Sequence, residues 1–245
     1  MSATTERPRV ICPDSGPEAP YPLHMEGTVI SGFGRGSKEL GIPTANLPVD
    51  ASVTPWIADA TSGVYFGYAS LLLPRAHADS LSSSSSSSSS TSTAEYQIYP
   101  MVMSIGYNPF YKNTVRSAEV HVLHRFASDF YDAPMRLLLL GFIREEKDYS
   151  GLEALIDDIN IDCDVARQSL ARPAWTPREG VVGGGTGSLD GAWLVRNPLQ
   201  PFAGNGASGG EDMRAEYVRR RCAQPILPHI TMASVGLKNK AMPCD

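Results

Sequence analysis

The sequence has few cysteines, no long apolar run and no excess of basic residues, and each shortage excludes a class of protein. Its 4 cysteines in 245 residues are scattered without paired metal-ligand spacing, so a disulfide framework is not expected. No segment approaches the roughly 20 apolar residues of a membrane-spanning helix, and the first residues lack the apolar run of a signal peptide. The net charge of −5 disfavours a nucleic-acid-binding surface. We therefore expect a cytoplasmic protein without a membrane span, with mitochondrial association as an open alternative.

Two low-complexity regions divide the chain. Hydrophobic residues make up 42% of the sequence, but they are sparse in the serine run Ser82–Ser90 and in the glycine-rich region after Trp175. The serine run cannot bury enough apolar surface to offset the entropy lost on ordering. The expected parts are a flexible segment 1–20, a domain 21–175 with a disordered insert at about 76–94, and a low-order extension 176–245.

Apolar segments bounded by turn residues predict a mainly β domain. Several short strands separated by turns favour a barrel or a sandwich. Gly67, inside the second strand, is expected at a bulge or at a close approach of two backbones. The predicted strands are Glu26–Gly32, Gly63 to about Leu73, Tyr96–Ile105, Val115–Leu123 and Met135–Arg144.

A helix is expected after the last strand. Ser150–Glu153 matches the capping-box pattern of a helix N-terminus. Apolar residues then recur at helical spacing as far as Leu170, and Pro173 ends the pattern. The sequence therefore predicts a helix of about five turns. We interpret it as scaffold that covers an open side of the β domain and has no role in chemistry.

A glycine-rich loop is the first candidate binding element. Gly32, Gly34 and Gly36 recur at every second position and are followed by Ser37 and Lys38. Glycines let the backbone pass close to a ligand and present N–H donors to phosphate oxygens, and the lysine adds a positive charge. The spacing excludes a Walker A loop and a dinucleotide loop. A glycine-rich hairpin turn without a ligand is the alternative.

A hydroxyl and an amide follow this loop at a spacing that suits a metal ion. Thr44 and Asn46 lie two positions apart, with Pro43 before them and Ala45 between them. In an extended chain both side chains point to the same side. Their oxygens are hard ligands of the kind that Mg²⁺ prefers. The alternatives are a hydroxyl that caps a strand and an amide in a turn.

The fourth predicted strand carries a possible base. Alternation places Glu119 and His121 on one face of the strand and Val120 on the other. His121 and His124 are three residues apart and point to opposite faces, so they cannot jointly hold one metal ion. Taken alone, a glutamate at this position is more often a solvent-facing strand carboxylate than a base.

Together these motifs resemble the eukaryotic-type riboflavin kinases, and specifically a fungal-like member with a polyserine insert and a C-terminal extension. The resemblance covers roughly residues 21–175. It implies a closed six-stranded antiparallel Greek-key barrel with a C-terminal α-helix, and transfer of the γ-phosphoryl group of ATP to the 5′-hydroxyl of riboflavin to form FMN. The motifs that carry it are Gly32–Pro48, Gly63-Val64-Tyr65, Ser104–Pro109 and Glu119–His124.

The resemblance also implies roles for individual residues. Glu119 would be the general base, and Thr44 and Asn46 would bind Mg²⁺, with Zn²⁺ as an alternative ion. Aromatic residues of the following loop would cover the flavin, although such residues are equally often part of a core. The implied ATP-binding residues are Gly32, Gly34, Gly36, Ser37 and Lys38, and the implied flavin-binding residues are Phe126, Phe130 and Tyr131.

Two other functions stay open at this point. The first is a flavin- or FMN-binding β-barrel without kinase activity, and the second is a regulatory protein descended from a kinase. Such proteins have no need of Lys38, Thr44, Asn46 and Glu119 together, and all four residues are present. We expect a monomer. We do not expect FAD synthesis by the same chain, because only about thirty residues precede the glycine loop.

Overall fold

The structure is a computed structural model, and it describes residues 7–31, 41–80, 95–107 and 116–196. By its contacts the chain divides into the units Met1–Gln200 and Pro201–Asp245, and every described residue belongs to the first. Several predicted features lie outside the described residues. They are the serine run Ser82–Ser90, the end of the C-terminal extension, and the proposed phosphate-binding residues Gly32, Gly34, Gly36, Ser37 and Lys38.

The described residues form six strands, one 3₁₀ turn and two helices. The strands are β1 (Leu23–Thr28), β2 (Ala45–Asn46), β3 (Gly63–Leu71), β4 (Gln97–Tyr107), β5 (Arg116–Val122) and β6 (Pro134–Glu145). The helical elements are the 3₁₀ turn Pro55–Ala58, α1 (Leu152–Leu170) and α2 (Ala192–Val195). Neither helix of the described part is long and apolar enough to cross a membrane.

The strands form one antiparallel sheet in the order β1-β6-β3-β4-β5-β2. The predicted mainly β fold with a C-terminal helix is confirmed. The predicted closure is overstated, because within the described residues the two edges meet only at a single bridge between Ile30 and Asn46. The Ile30 N–H donates to the Asn46 carbonyl oxygen at 2.9 Å. β2 is only two residues long, and the flanking Pro43 and Pro48 have no N–H to extend the pairing.

The observed strands lie close to the predicted ones, with two differences. β1 begins three residues and ends four residues earlier than predicted, and β2 was not predicted as a separate strand because two residues show no alternation. The predicted bulge is confirmed, because the β3–β6 register shifts between Phe66 and Gly67. A Cβ atom at Gly67 would overlap the carbonyl oxygen of Leu138. Only glycine fits at this approach of two backbones.

The sheet buries apolar side chains on both faces. The inner core is enclosed by the curled sheet, and its centre includes Met101, Met103, Ile105, Val120, Leu137 and Leu139. The outer core lies between the sheet and the helices, and it includes Phe66, Tyr68, Leu138, Cys163, Ala166, Trp175 and Leu194. α1 therefore packs on the outer surface of the sheet. The prediction that it covers an open side of the β domain is different from this placement.

The observed limits of α1 agree with the predicted ones, but the capping and the burial of its first turn differ from the prediction. The helix spans Leu152–Leu170 and ends before Pro173, as predicted. The predicted capping box is wrong, because the N-cap is Gly151 and no side chain caps the helix. Leu152, which begins the predicted apolar stripe, is 55% exposed. Burial is concentrated in the second half of the helix, against the outer core.

The segment before β1 and the segment after α1 both pack against the domain. On the N-terminal side, the Ile11 N–H donates to the Ser169 hydroxyl of α1 at 3.1 Å. On the C-terminal side, Leu194 of α2 is fully buried, and its carbonyl oxygen accepts a hydrogen bond from Ser70 at 2.7 Å. The domain limits at residues 20 and 175 stay predictions, although ordered contacts extend beyond both.

Candidate active site

β5 places its polar side chains on the outer face of the sheet. Ala118, Val120 and Val122 are buried in the inner core, whereas Glu119 and His121 between them are partly exposed. This is the alternation that the sequence predicts. The strand therefore supplies a carboxylate and an imidazole to the same outer surface.

Strand pairing brings Asn46 and Glu119 together. In the β2–β5 pair Asn46 lies directly opposite Glu119, and in the β4–β5 pair Ser104 lies opposite Glu119 on the other side. Directly opposed residues of antiparallel strands have Cβ atoms about 4.5–5.5 Å apart and share a face of the sheet. The amide of Asn46 and the carboxylate of Glu119 are thus neighbours on the outer face.

Asn46, Glu119 and Ser104 begin a row of paired residues, the outer row, that continues across the outer face of the sheet to an arginine. Ser104 lies opposite Val64 of β3, and Val64 lies opposite Arg144 of β6. Since adjacent strands are about 4.8 Å apart, the three steps from Glu119 to Arg144 span about 14 Å. A carboxylate and a guanidinium therefore mark the two ends of one outer row.

Thr44 lies beside this row on a backbone that His121 supports. Ala45 and Leu47 are buried and Thr44 and Asn46 are partly exposed, so the hydroxyl and the amide share a side as predicted. Burial lowers the pKa of His121, so its ring is neutral at pH 7. The His121 Nδ1 atom lies 2.8 Å from the carbonyl oxygen of Pro43, and in the neutral ring it donates that hydrogen bond. His121 thereby fixes the backbone that carries Thr44.

His124 belongs to a different environment. Its ring packs against Tyr99 and Phe126, with centroid distances of 4.8 and 4.7 Å. Across the described ranges, no group of three His, Cys, Asp or Glu residues could hold a metal ion. A conventional Zn²⁺ site is therefore not supported by this part of the chain.

Two cavities meet at Thr44 and His121. The loop cavity, of about 750 Å³, is lined by Gly41, Pro43, Thr44, the segment 120–131 and Arg167. The sheet cavity, of about 550 Å³, is lined by residues of the outer row and by α1. Glu119 lines the sheet cavity, and Thr44 and His121 line both. A ligand in either cavity can thus reach the junction at Thr44.

The sheet cavity combines apolar walls with ordered polar groups. Leu155 and Ile159 of α1 form one wall, so this helix contributes to the site and is not scaffold alone. Tyr149 forms another wall and donates to Asp158 at 2.9 Å. Burial and this hydrogen bond raise the pKa of Tyr149 to about 12, so the phenol stays protonated. Arg144 also lines the cavity, at the other end of the outer row from Glu119.

A buried carboxylate on α1 orients Arg144. The Asp162 side chain accepts from Arg144 Nε at 3.1 and 3.0 Å and from Arg144 Nη2 at 2.7 Å. It also accepts from Arg7 Nη2 at 2.5 Å. Two arginines thus compensate one carboxylate that is 1% exposed. This pairing holds the guanidinium of Arg144 against the cavity.

The three predicted flavin-covering residues line the loop cavity. Phe126 and Phe130 pack against the inner core, and their ring centroids are 4.6 Å apart. Tyr131 is 46% exposed. Two of the three aromatic residues therefore have a packing role.

Several residues of the sheet cavity were not found from the sequence. They are Arg144, Tyr149 and Asp162, whereas Ser104 belongs to the motif Ser104–Pro109 but was given no role in a site. Arg144 shows why. The register of β6 against β3 shifts twice before it, so the two reversals of face cancel and Arg144 shares its face with Leu138. The sequence does not show that β6 lies three strands from β5, in the row of Glu119.

In this antiparallel β domain a carboxylate, a hydroxyl and an amide lie beside two joined cavities. The arrangement indicates an enzyme that binds two substrates. A family model described as "Flavokinase: Riboflavin kinase" matches residues 19–170. The chain belongs to the riboflavin kinase family, and the resemblance inferred from the motifs is confirmed.

Curated relatives cover most of the chain. It is 63% identical over 205 residues to the riboflavin kinase of Pyricularia oryzae, covering 81% of this chain and 99% of that protein. It is 61% identical over 219 residues to the riboflavin kinase of Chaetomium globosum, covering 78% and 93%. Among solved structures, the riboflavin kinase from Trypanosoma brucei matches with a TM-score of 0.44 and 26% identity, covering 64% of this chain and 84% of that one.

Proposed function

We propose that the protein is a riboflavin kinase, which transfers the γ-phosphoryl group of ATP to the 5′-hydroxyl of riboflavin and forms FMN and ADP. The observation that carries this proposal is the pairing of Glu119 with Asn46, beside Thr44, where the two cavities meet. Membership of the riboflavin kinase family supports the same reaction. A non-catalytic flavin-binding barrel would not need this arrangement of a base beside two oxygen ligands.

Each cavity suits one substrate. The hydroxyl that is phosphorylated must reach Glu119, and Glu119 lines the sheet cavity. Leu155 and Ile159 there provide an apolar wall suited to a flavin ring. The loop cavity borders Gly41 and Pro43, which follow the glycine-lysine segment in the chain. We therefore place riboflavin in the sheet cavity and ATP in the loop cavity, with the γ-phosphate at the junction.

In this arrangement the transfer is direct. The 5′-oxygen of riboflavin forms a bond to the γ-phosphorus while the bond from that phosphorus to the β,γ-bridging oxygen breaks. Glu119 accepts the proton of the 5′-hydroxyl, and ADP leaves with the bridging oxygen. General-base assistance of this kind contributes about 10²- to 10⁴-fold in rate.

The oxygen ligands beside Glu119 fit Mg²⁺. Thr44 supplies a hydroxyl and Asn46 an amide oxygen, both neutral, and a metal that arrives on ATP already carries anionic ligands. Bound Mg²⁺ would neutralise charge on the phosphate oxygens. Lys38 and the three glycines, which lie outside the described residues, are proposed to bind the same phosphates.

The role of the aromatic loop residues remains a prediction. Phe126, Phe130 and Tyr131 were expected to cover the flavin, whereas the proposed substrate placement puts them nearer the nucleotide. The monomeric state and the cytoplasmic location also remain predictions.

The decisive experiment is incubation of the purified full-length protein with ATP, Mg²⁺ and riboflavin. Chromatography should show FMN and ADP formed in equal amounts. A chelator that removes Mg²⁺ should stop both. Binding of riboflavin without FMN formation would instead indicate the non-catalytic flavin-binding barrel.

Replacing Asn46 with alanine is expected to raise the Mg²⁺ concentration that gives half-maximal activity by about ten-fold, because an oxygen ligand is lost. The measurement is FMN formation as a function of Mg²⁺ at saturating ATP and riboflavin. Thr44→Ser keeps its hydroxyl, so its half-maximal activity should need the same Mg²⁺ concentration as that of the unchanged protein. An unaltered Mg²⁺ titration of Asn46→Ala would remove Asn46 from the metal site.

A further inference from the structure

The segment between β3 and the serine run lies against the loop cavity. We name residues 74–80 the stem, and residues 124–131, which line the loop cavity, the cavity loop. Within the stem, His77 and Ser80 are 8% and 6% exposed. Such burial of polar side chains requires specific partners, because an unpaired buried polar group is costly.

The partners are backbone groups of the cavity loop. The Ala127 N–H donates to the Asp79 carboxylate at 2.8 Å. His77 Nε2 lies 3.2 Å from the Ser128 carbonyl oxygen and 3.0 Å from the Ser128 hydroxyl. Two stem residues therefore bind two consecutive residues of the cavity loop.

The hydrogen bonds around His77 define its tautomer. Its Nδ1 atom accepts from the Asp79 N–H at 3.2 Å, which places the ring proton on Nε2. Nε2–H then donates to Ser128, whose carbonyl oxygen can only accept. The imidazole thus connects the backbone of the stem to the backbone of the cavity loop.

Aromatic contacts continue this connection to the wall of the cavity. The His77 ring meets Phe126 edge to face at 6.3 Å, and Phe126 meets Phe130 and His124 at 4.6 and 4.7 Å. Asp79 also lies 4.0 Å from His124 Nε2. The stem thus contacts the cavity loop through its backbone and through its packed rings.

We propose that His77 and Asp79 are positioning residues that hold the cavity loop in the shape needed to bind ATP. Neither residue lines either cavity, so each acts through Phe126, Ala127 and Ser128. The inference rests on the proposed function and on the placement of ATP in the loop cavity. It assigns a role to two residues of the stem, whereas the sequence predicts only a disordered insert at this point of the chain.

The test is a pair of substitutions at one position. Asp79→Ala removes the acceptor for the Ala127 N–H and should raise the KM for ATP by about five-fold or more, as expected for loss of a charge-assisted hydrogen bond. The KM for riboflavin should change less than about two-fold. Asp79→Asn keeps an oxygen acceptor for Ala127 and should recover most of the affinity for ATP.

Deletion of Ser82–Ser90 is the matched control within the same connection. It removes the serine run and keeps His77 and Asp79, so both KM values and turnover should stay within a few-fold of the unchanged protein. A rise in the KM for ATP equal to that of Asp79→Ala would overturn the assignment to the stem.

The remaining outcomes separate positioning from general stability. Equal rises in both KM values together with a lowered Tm would indicate a merely structural role and overturn the proposal. A rise in the KM for riboflavin alone, or no change in either KM, would also overturn it. Formation of FMN by the unchanged protein tests the proposed function independently, so failure of one is distinguishable from failure of the other.

Discussion

The Glu119→Gln variant is expected to bind riboflavin and ATP and to turn over at least about 100-fold more slowly than the unchanged protein. Glutamine preserves the size of the side chain and its place opposite Asn46, but it cannot accept the proton of the 5′-hydroxyl. Because the proton is transferred only as the new bond forms, kcat should fall while the KM for riboflavin changes little.

Chromatographic measurement of FMN gives the turnover, and titration of riboflavin fluorescence gives the binding. Glu153→Gln, an exposed change on α1, is the matched control and should have normal activity. Near-normal turnover of Glu119→Gln would exclude the carboxylate as the base. Loss of both binding and turnover would show instead that Glu119 maintains the cavity.

Asp162→Ala is expected to lower the free energy of unfolding by about 3 kcal/mol. Asp162 is almost completely buried, and its removal leaves Arg144 and Arg7 without their shared carboxylate. The freed Arg144 guanidinium lies at the end of the sheet cavity, so the KM for riboflavin should rise as well. Urea denaturation followed by circular dichroism measures the first effect, and FMN formation the second.

Asp164 provides the matched control on the same helix. Its side chain is 50% exposed, and its ion pairs with Arg9 and Arg167 lie in solvent-accessible surroundings at 3.3 and 3.6 Å. Asp164→Ala should therefore cost less than about 1 kcal/mol. If both variants lose the same free energy of unfolding, the buried pairing of Asp162 with Arg144 contributes no more to stability than an exposed ion pair.

Local patterns predicted the parts of the site that depend on a single strand. Alternation along β5 was enough to place Glu119 and His121 on the outer face, and the spacing of Thr44 and Asn46 was enough to place them on one side. Each of these results follows from the two-residue repeat of extended backbone. They require no knowledge of which strands are neighbours.

Features that depend on pairing between distant strands could not be predicted in this way. The position of Asn46 opposite Glu119 requires β2, which is too short to show a repeat. The place of Arg144 in the row of Glu119 depends on the strand order β6-β3-β4-β5, which the sequence of β6 does not reveal. Leu155 and Ile159 fit a buried helical stripe equally well, and only the packing of α1 places them in a cavity wall.

The bridge between Ile30 and Asn46 has a thermodynamic consequence for the chain that connects them. Ile30 and Asn46 are joined by a backbone hydrogen bond, and the preceding Val29 is held by Asp132 and Ala133 at 2.9 and 3.0 Å. The entropy of bringing the ends of a loop together grows only with the logarithm of its length, and here it is lost once, during folding. The phosphate binding proposed for the connecting segment would therefore carry no second closure penalty, and more of the contact energy would remain as net affinity for the nucleotide.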